Sequence, residues 1–354
     1  MNDIYDVAVI GGGPAGATFA TELSASAADT KILLVDGGSA GHIKVCGGLL
    51  APDAQKVLAK MNITLPNSVL ADPQIFAVET VDLVSRCVRF YQRHYLNMDR
   101  EAFDKWLLSN VPCTVDVAGG MCVDAEKKDG VFVLTVRNGG GTATYRARAL
   151  IGADGGGSLV RRKFFGRSIK QYVALQQWFE CAEVPYYACI FDKETSDSCS
   201  WTIMKDGYSI YGGAFEKDGC REAFEKQKAR FEVFYGITLG EPVRTEACLV
   251  SSPRKMRDFI AGRDGVYLIG EAAGFISASS FEGISSAIIS GKILAGAFAD
   301  GKSEKDVLRL YRRRTRALRT KLWLKTKKRA VLCSPALRKM IMKSGVNSVK
   351  KYKV

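Results

Sequence analysis

Histidine is nearly missing from this sequence: 354 residues contain only His42 and His94. A multi-histidine metal centre, or a relay of several imidazoles, is therefore all but excluded. The ten cysteines contain no CxxC pair and no framework spacing. In a chain of this length, that pattern argues against a disulfide scaffold and for free thiols in a reducing cytoplasm. Long apolar runs are missing as well. The best candidate, residues 283–299, is broken by Lys292 and falls short of the ~20 residues that a spanning helix needs. The first residues show no basic n-region and no small-residue cleavage site, so no secretory signal is expected. Acid is missing from the end of the chain: from Arg309 onward there are 17 basic residues and no acidic one. The net charge is +14, yet residues 1–308 hold 34 basic against 37 acidic side chains. The body is close to neutral, and the basic excess sits in one segment.

Apolar residues make up 47% of the chain and the mean hydropathy is −0.02, which predicts a globular protein with a sizeable core. The segment "YDVAVIGGGPAGATFATELS" begins with a run short enough for a buried parallel strand. Gly11, Gly13 and Gly16 follow in a G-x-G-x-x-G pattern and lead into helical spacing. A second buried strand, "KILLVD", ends in Asp36, 20 residues after Gly16. Each residue has a physical task. Gly11 permits the tight turn, Gly13 lets backbone N–H groups reach a pyrophosphate, and Gly16 lets helix pack on strand. The helix start favours an anion, and Asp36 can accept from a ribose hydroxyl. The pattern predicts dinucleotide binding; the alternative is a glycine-rich turn without a ligand.

Further along, "NMDREAFDKWLLSNV" predicts a helix over 97–111. "VFVLTV" and "TATYRARA" predict a hairpin turning at Asn138 to Gly141. A buried strand then runs into "GADG" at Gly152 to Gly155, and "DGVYLIGEAAGFISASSFEGISS" repeats strand, glycine turn and helix. No second G-x-G-x-x-G follows, so there is no separate nicotinamide domain. Between these pieces, residues 170–250 predict strands with one helix over "REAFEKQKARFEVFYG". Aromatics are dense there: Trp178, Phe179, Tyr186, Tyr187, Trp201, Tyr208 and Tyr211. Two readings stand. The aromatics are sheet core and surface, or one face lines an apolar pocket. On the second reading Trp201 and Tyr211 lead, flanked by Gly207 and the Gly212-Gly213 pair.

This order resembles the glutathione-reductase-type FAD-binding Rossmann fold, in its aromatic-hydroxylase and geranylgeranyl-reductase branch. That is a mixed α/β fold with an antiparallel substrate sheet and C-terminal helices. "CGGLLAPDAQKVLA", "DPQIFAVETVDL", "YQRHYLNMDREAFDKWL", "CSWTIMKDGYSIYGGAF" and "LIGEAAGFISASSFEGIS" together resemble the CbrA family of bacterial flavoproteins. The resemblance spans essentially the whole chain. It implies a discontinuous FAD domain over 1–72, 97–165 and 255–300. A substrate sheet would then take 73–96 and 166–254, and a basic helical segment 301–354. FAD would be held by Gly11, Gly13, Pro14, Ala15, Gly16, Asp36, Gly37, Cys46, Gly47, Arg100, Cys122, Asp154, Gly155, Gly270, Glu271, Gly274, Gly283 and Ile284. The acid that relatives place on the ribityl chain is Asp; here it is Glu271. The helix starting near Gly283 would present amide groups to a reduced, anionic flavin, or else it is an ordinary core helix. Trp178, Trp201, Tyr211 and Phe281 are the expected substrate contacts. Where prenyl reductases carry an aromatic-x-Trp-x-Phe-Pro stretch, this chain has Cys199, Trp201, Ile203 and Met204. Where they carry proline and glycine, it has Ala278 and Phe281.

The implied activity is FAD-dependent reduction of carbon–carbon double bonds in an apolar or isoprenoid-like substrate, with electrons from NAD(P)H or a redox protein. A flavin monooxygenase acting on an aromatic ring, and a non-catalytic flavin- or lipid-binding protein, are the alternatives. Cys46 precedes two glycines. The lack of a ligand-spaced Cys or His argues against metal binding, and a reducing compartment argues against a disulfide. What remains is a small buried hydrophobe or a residue facing the flavin. In the related reductases the matching cysteine lies over the flavin ring beside the bound lipid. A free thiol is mostly protonated at neutral pH and can donate to a reduced double bond, so Cys46 is the expected catalytic residue. For residues 309–354, Leu308, Tyr311, Thr315, Leu318 and Leu322 predict one apolar helix stripe. The basic faces around it are read as solvated surface, as a patch for anionic membrane, or as a dock for an acidic electron donor; no base-reading module for nucleic acid is visible. The expected location is cytoplasmic, with peripheral attachment at the inner face of the membrane under the second reading.

Overall fold

The computed structural model describes residues 4–38, 44–180 and 183–350. They fold as two compact units, each built from three separate stretches of chain. Met1–Ile43, Glu101–Lys170 and Ser251–Leu324 form the first; Lys44–Arg100, Gln171–Val250 and Lys325–Val354 form the second.

In the first unit the strand Ile4–Ile10 pairs parallel with Ile32–Asp36 on one side and with Gly141–Gly152 on the other. Asp116–Gly119 extends the sheet beyond Ile32–Asp36, and Val266–Leu268 extends it beyond Gly141–Gly152. All these pairings are parallel, and the inner strands are apolar on both faces, as a doubly covered sheet requires. Gly141–Gly152 does two jobs. Its first half pairs antiparallel with Val131–Asn138, closing the expected hairpin at Asn138 and Gly141; Met121–Lys128 adds a third antiparallel strand. Helices Pro14–Ser26 and Ile284–Asp300 pack closely. A methyl at Gly291 would lie 2.5 Å from Ala15 O, so the helices meet backbone to backbone. Phe19, Phe132, Tyr267, Phe275 and Tyr311 fill the core.

The second unit is an eight-stranded sheet. In spatial order its strands are Arg244–Ser251, Gln171–Glu180, Tyr208–Phe215, Cys199–Lys205, Tyr187–Phe191, Ile75–Asp82, Cys87–Asn97 and Leu49–Leu50. The pairing of Tyr187–Phe191 with Ile75–Asp82 is parallel. Side chains alternate between faces along each strand. One face carries Leu175, Phe179, Tyr211 and Phe215, packed with Phe224 and Phe231 of helix Cys220–Tyr235. The opposite face carries Gln176, Trp178, Trp201, Ile203 and Lys205, as the registers require.

These boundaries differ from the sequence expectation by a few residues at 97–100, 166–170 and 251–254, and by whole segments in two places. Residues 44–72 group with the second unit, because Leu49–Leu50 pairs antiparallel with Leu96 and Asn97. The C-terminal segment is divided, with 301–324 in the first unit and 325–354 in the second. It forms helices Glu304–Arg314, Arg316–Cys333 and Pro335–Ser344. The expected stripe is present: Tyr311, Thr315, Leu318 and Leu322 are buried. The helix, not the stripe, is interrupted at Thr315, whose hydroxyl donates back to Tyr311 O at 2.7 Å, a bond that bends helices. Among the described residues, no helix is long and apolar enough to cross a membrane, and no cluster of His, Cys, Asp and Glu is arranged to hold a metal ion.

Candidate active site

The nucleotide motif of the first unit sits where the parallel strands end. Gly11 has φ +112°, and a Cβ there would lie 2.5 Å from Ala153 O. At Gly16 a Cβ would lie 1.9 Å from Gly11 O. Both are closed against backbone. Gly13 is different: its φ of −68° suits any residue, and a Cβ would meet nothing within 4 Å. Gly13 caps helix Pro14–Ser26 without a side-chain cap, and the first turn holds no acid. The orphan N–H groups of that turn therefore face an open space with positive potential, which suits a pyrophosphate. Asp36 ends the second strand, accepts from Gly38 N at 3.1 Å and packs over Gly12, with Gly37 in the bend between. These residues fit the adenine-nucleotide half of a dinucleotide.

The remaining predicted cofactor residues of this unit frame two helix starts. Asp154 accepts from Ser158 Oγ at 2.5 Å and from Val160 N at 3.1 Å, and so anchors helix Leu159–Phe165. Burial raises its carboxyl above the ordinary range, against those hydrogen bonds. Its carboxylate is committed to the protein, which leaves the neighbouring backbone, with Gly155 at φ +70°, as the part open to a ligand. Cys122 donates to Asp124 O at 3.3 Å, and burial together with the nearby Asp154 charge pushes its thiol up to about 12. Glu271 and Gly270 lie in the turn Gly270–Ala273, closed by Gly274. One Glu271 oxygen accepts from Ser251 N at 2.7 Å.

Arg161 was not singled out by its sequence context. It is buried, donating to Ala272 O at 2.9 Å, Asp258 O at 2.8 Å and Arg167 O at 3.0 Å, and thereby ties down the Glu271 turn. Burial lowers its guanidinium to about 10. Gly283 caps helix Ile284–Asp300, again with no side-chain cap and no acid in the first turn. Phe281, just before it, has φ +54°, a genuine outlier for a bulky side chain of the kind that marks functional turns.

Cys46, Gly47, Arg100, Trp178, Trp201 and Tyr211 belong to the second unit. Arg100 opens helix Arg100–Ser109. Cys46 is half-buried, and its Sγ accepts from Gly48 N at 3.4 Å. The glycine pair does admit a close approach, but to the unit's own sheet. A Cβ at Gly47 would lie 2.3 Å from Ile203 Cδ1, and one at Gly48, where φ is +68°, would lie 2.2 Å from Met98 O and 2.5 Å from Lys205 Nζ. Lys205 is, with Arg161, a residue that sequence reasoning missed. Its buried ammonium donates to Asn97 Oδ1 at 2.7 Å, Met98 O at 2.5 Å and Gly48 O at 3.4 Å. It therefore staples the Cys46–Gly48 loop to the sheet. Burial lowers its pKa to about 8, opposed by the charges of Cys46, Asp206 and Asp99. Only the register "WTIMK", which puts Trp201, Ile203 and Lys205 on one face, could have signalled it.

Trp201 sits between the two glycine sites. A Cβ on Gly212 would lie 2.6 Å from its Nε1, and one on Gly47 would lie 3.9 Å from it. Trp201 Nε1 and Gln176 Oε1 are buried and have no hydrogen-bond partner among the described residues. Gln176 Nε2 and Trp178 Nε1 both donate to Glu246 Oε2, at 2.7 and 2.9 Å. The expectation for Tyr211 is corrected. It is fully buried on the helix-covered face, donating to Gln227 Oε1 at 3.1 Å and packing on Phe224 and Phe231. The alternation of the strand puts Tyr211 opposite to its neighbour Gly212, so it is core.

No family model matches the chain. Among curated proteins, Protein CbrA of Escherichia coli O6:H1 is 44% identical over 356 residues, covering 99% of this chain and 96% of that one. The chain belongs to the CbrA family. Among solved structures, this CbrA-family fold is similar to a geranylgeranyl bacteriochlorophyll reductase-like protein from Thermoplasma acidophilum. The TM-score is 0.78 at 20% identity, covering 96% of this chain and 91% of that one. It is also similar to the flavin-dependent brominase Bmp2, with a TM-score of 0.65 at 18% identity and coverage of 96% and 93%. The likeness covers both units and shows that the chain shares the fold of these proteins, a flavin-dependent brominase among them.

Proposed function

We propose that this chain is an FAD-dependent oxidoreductase that reduces carbon–carbon double bonds of an apolar, isoprenoid-like substrate. The observation that carries the cofactor assignment is the cradle of Gly11, Gly13 and Gly16, closed at two glycines and open at the one that faces the helix start. Bound FAD supplies hydride from its N5, recharged by NAD(P)H or a redox protein. The chain's own residues do the rest. The first turn after Gly13 binds the pyrophosphate, Asp36 takes the ribose hydroxyl, and the uncapped start of helix Ile284–Asp300 stabilises negative charge. Gly37, Cys122, Gly155, Gly270 and Gly274 shape the backbone around the ligand, and Arg161 holds the Glu271 turn.

An isolated double bond accepts hydride poorly, so a proton must reach the second carbon in the same event. Cys46 is the donor. Its S–H bond breaks as the new C–H bond forms, and the thiolate left behind recovers a proton from solvent. Lys205 fixes the loop that aims it. Trp201 Nε1 and Gln176 Oε1, one donor and one acceptor, suit a single hydroxyl at the polar end of the substrate. Trp178, on the same sheet face, supplies apolar wall.

The purified protein should be yellow and release FAD in acid. Cys46→Ala should retain FAD and fold while losing about 10²-fold or more in turnover. Colourless protein that takes up no FAD ends the whole reading. An unchanged rate and product pattern in Cys46→Ala ends the catalytic role of the thiol alone.

A further inference from the structure

Helix Pro335–Ser344 belongs to the second unit and has one face in and one face out. Arg338 and Met342, one turn apart, are both 2% exposed. Arg338 Nε donates to Asp82 Oδ2 at 2.8 Å, and its Nη1 donates to Leu332 O at 2.7 Å. Beyond the helix, Val349 N donates to Phe90 O at 2.8 Å. The helix is thus fastened along its length and behind its end, and its outer face is a built surface rather than a fraying tail.

That outer face is apolar. Leu337, Met340 and Ile341 stand at i, i+3 and i+4, which makes them one stripe; they are 42%, 63% and 37% exposed. Val346, just past the helix, extends the exposed apolar surface. Lys339 and Lys343, one turn apart and both exposed, rim the stripe, and Lys328 is exposed on the preceding helix. No acidic residue follows Asp306. A helix face meant only for solvation would carry polar residues where these three stand. A face meant only for an acidic protein would need the lysines but not the stripe.

We propose that helix Pro335–Ser344 docks on an anionic lipid bilayer, with Leu337, Met340 and Ile341 entering the boundary between headgroups and acyl chains and Lys339 and Lys343 meeting the headgroups. An apolar stripe beside a lysine rim is the arrangement of interfacial helices, and the unbroken positive charge of the segment selects anionic over neutral lipid. The proposal is independent of the flavin chemistry, because every residue it uses lies outside the predicted cofactor and substrate sets.

The test is co-sedimentation of the full-length, FAD-loaded protein with vesicles of phosphatidylcholine alone, or with one third phosphatidylglycerol, at low and high salt. Binding to the anionic vesicles is expected, weakened by salt and slight with the neutral ones. Leu337→Ser, Met340→Ser and Ile341→Ser together should cut partitioning about tenfold or more. Lys339→Gln with Lys343→Gln should cut it about twenty-five-fold, near fivefold per charge. All five positions are exposed, so melting curves and FAD content should match the parent protein. Wild-type protein that stays in the supernatant with anionic vesicles at low salt overturns the proposal. Binding that the triple serine variant leaves unchanged also overturns it, since a purely electrostatic dock, such as one for an acidic protein, needs no stripe.

Discussion

The two units hold their predicted chemistry by different means. In the first, the site is backbone: a strand end, two glycines closed against carbonyl oxygens, one left open, and a helix start. In the second, the site is side chains brought together across strands. Cys46 from a loop, Trp201 and Lys205 from one strand, and Gln176 from another meet on a single sheet face. A backbone site is written in consecutive residues and can be read from spacing. A side-chain site is written in register, and register becomes visible only when strands pair.

The largest expected contrast lies between two neighbouring glycines. Gly16→Ala forces a methyl to 1.9 Å from Gly11 O. Neither side of that contact is flexible, so the first unit should lose on the order of 3 kcal/mol or more, with collapse of the fold as the extreme outcome. Gly13→Val meets open space in the protein. It should melt near the parent apoprotein yet bind no FAD, because the branched side chain fills the phosphate position. Thermal melts beside flavin absorbance separate the two. Equal loss of stability in both would mean that Gly13 is structural and not a ligand site.

A smaller effect is expected at Lys205. Lys205→Met leaves Met98 O and Gly48 O without their ammonium donor, for a loss of about 2 kcal/mol near neutral pH. The pH dependence has a definite sign. Burial lowers the folded pKa to about 8, whereas an unfolded lysine titrates near ~10.4. Between those values the unfolded chain binds more protons, so this group makes stability rise with pH. Urea titrations on both sides of that window should therefore show the gap between parent and Lys205→Met widening as pH rises. A gap that stays constant would mean the lysine is not desolvated. Peptide-resolved alkylation should also find Cys46 more reactive in the variant, since its loop has lost a staple.

The smallest effects should come from the aromatics, and they sharpen the comparison within one sheet. Tyr211→Phe removes one hydrogen bond to Gln227 and should cost about 1 kcal/mol with turnover unchanged. Trp201→Phe removes a donor that has no protein partner. It should leave stability within a few tenths of a kcal/mol and raise KM. A reversal of these two outcomes would restore the sequence-based choice of Tyr211 as a pocket residue.

Most of the first unit was legible for the reason just given. Gly11, Gly13, Gly16 and Asp36 stand where their spacing put them, and the hairpin turns at Asn138 and Gly141. The strands of the second unit were legible as strands, but not the faces they present. Tyr211 and Trp201 were chosen together because both have glycine neighbours. The pairing of Trp201 with Gly212, and of Thr202 with Tyr211, puts them on opposite sides. Lys205 was invisible because a lone lysine at a strand end reads as surface until its three acceptors, from residues 48, 97 and 98, are seen around it. The Gly47-Gly48 pair was recognised as a close approach, but its counterpart is the protein's own Ile203 and Met98.

The pairing of Asp82 with Arg338 has a consequence in time. Burial pushes the Asp82 carboxyl up, but the hydrogen bonds from Arg338 and Ser85 outweigh it and hold the group below the ordinary carboxylate range. The two residues lie 256 positions apart. At about 5–20 residues per second of synthesis, roughly 13 to 50 s separates the emergence of the acid from that of its base. During that interval the strand Ile75–Asp82 can enter its sheet only with the Asp82 carboxylate lacking its guanidinium partner and held by Val84 N and Ser85 N alone. The contact that neutralises Asp82 therefore forms late in synthesis, long after the strand that needs it has been made.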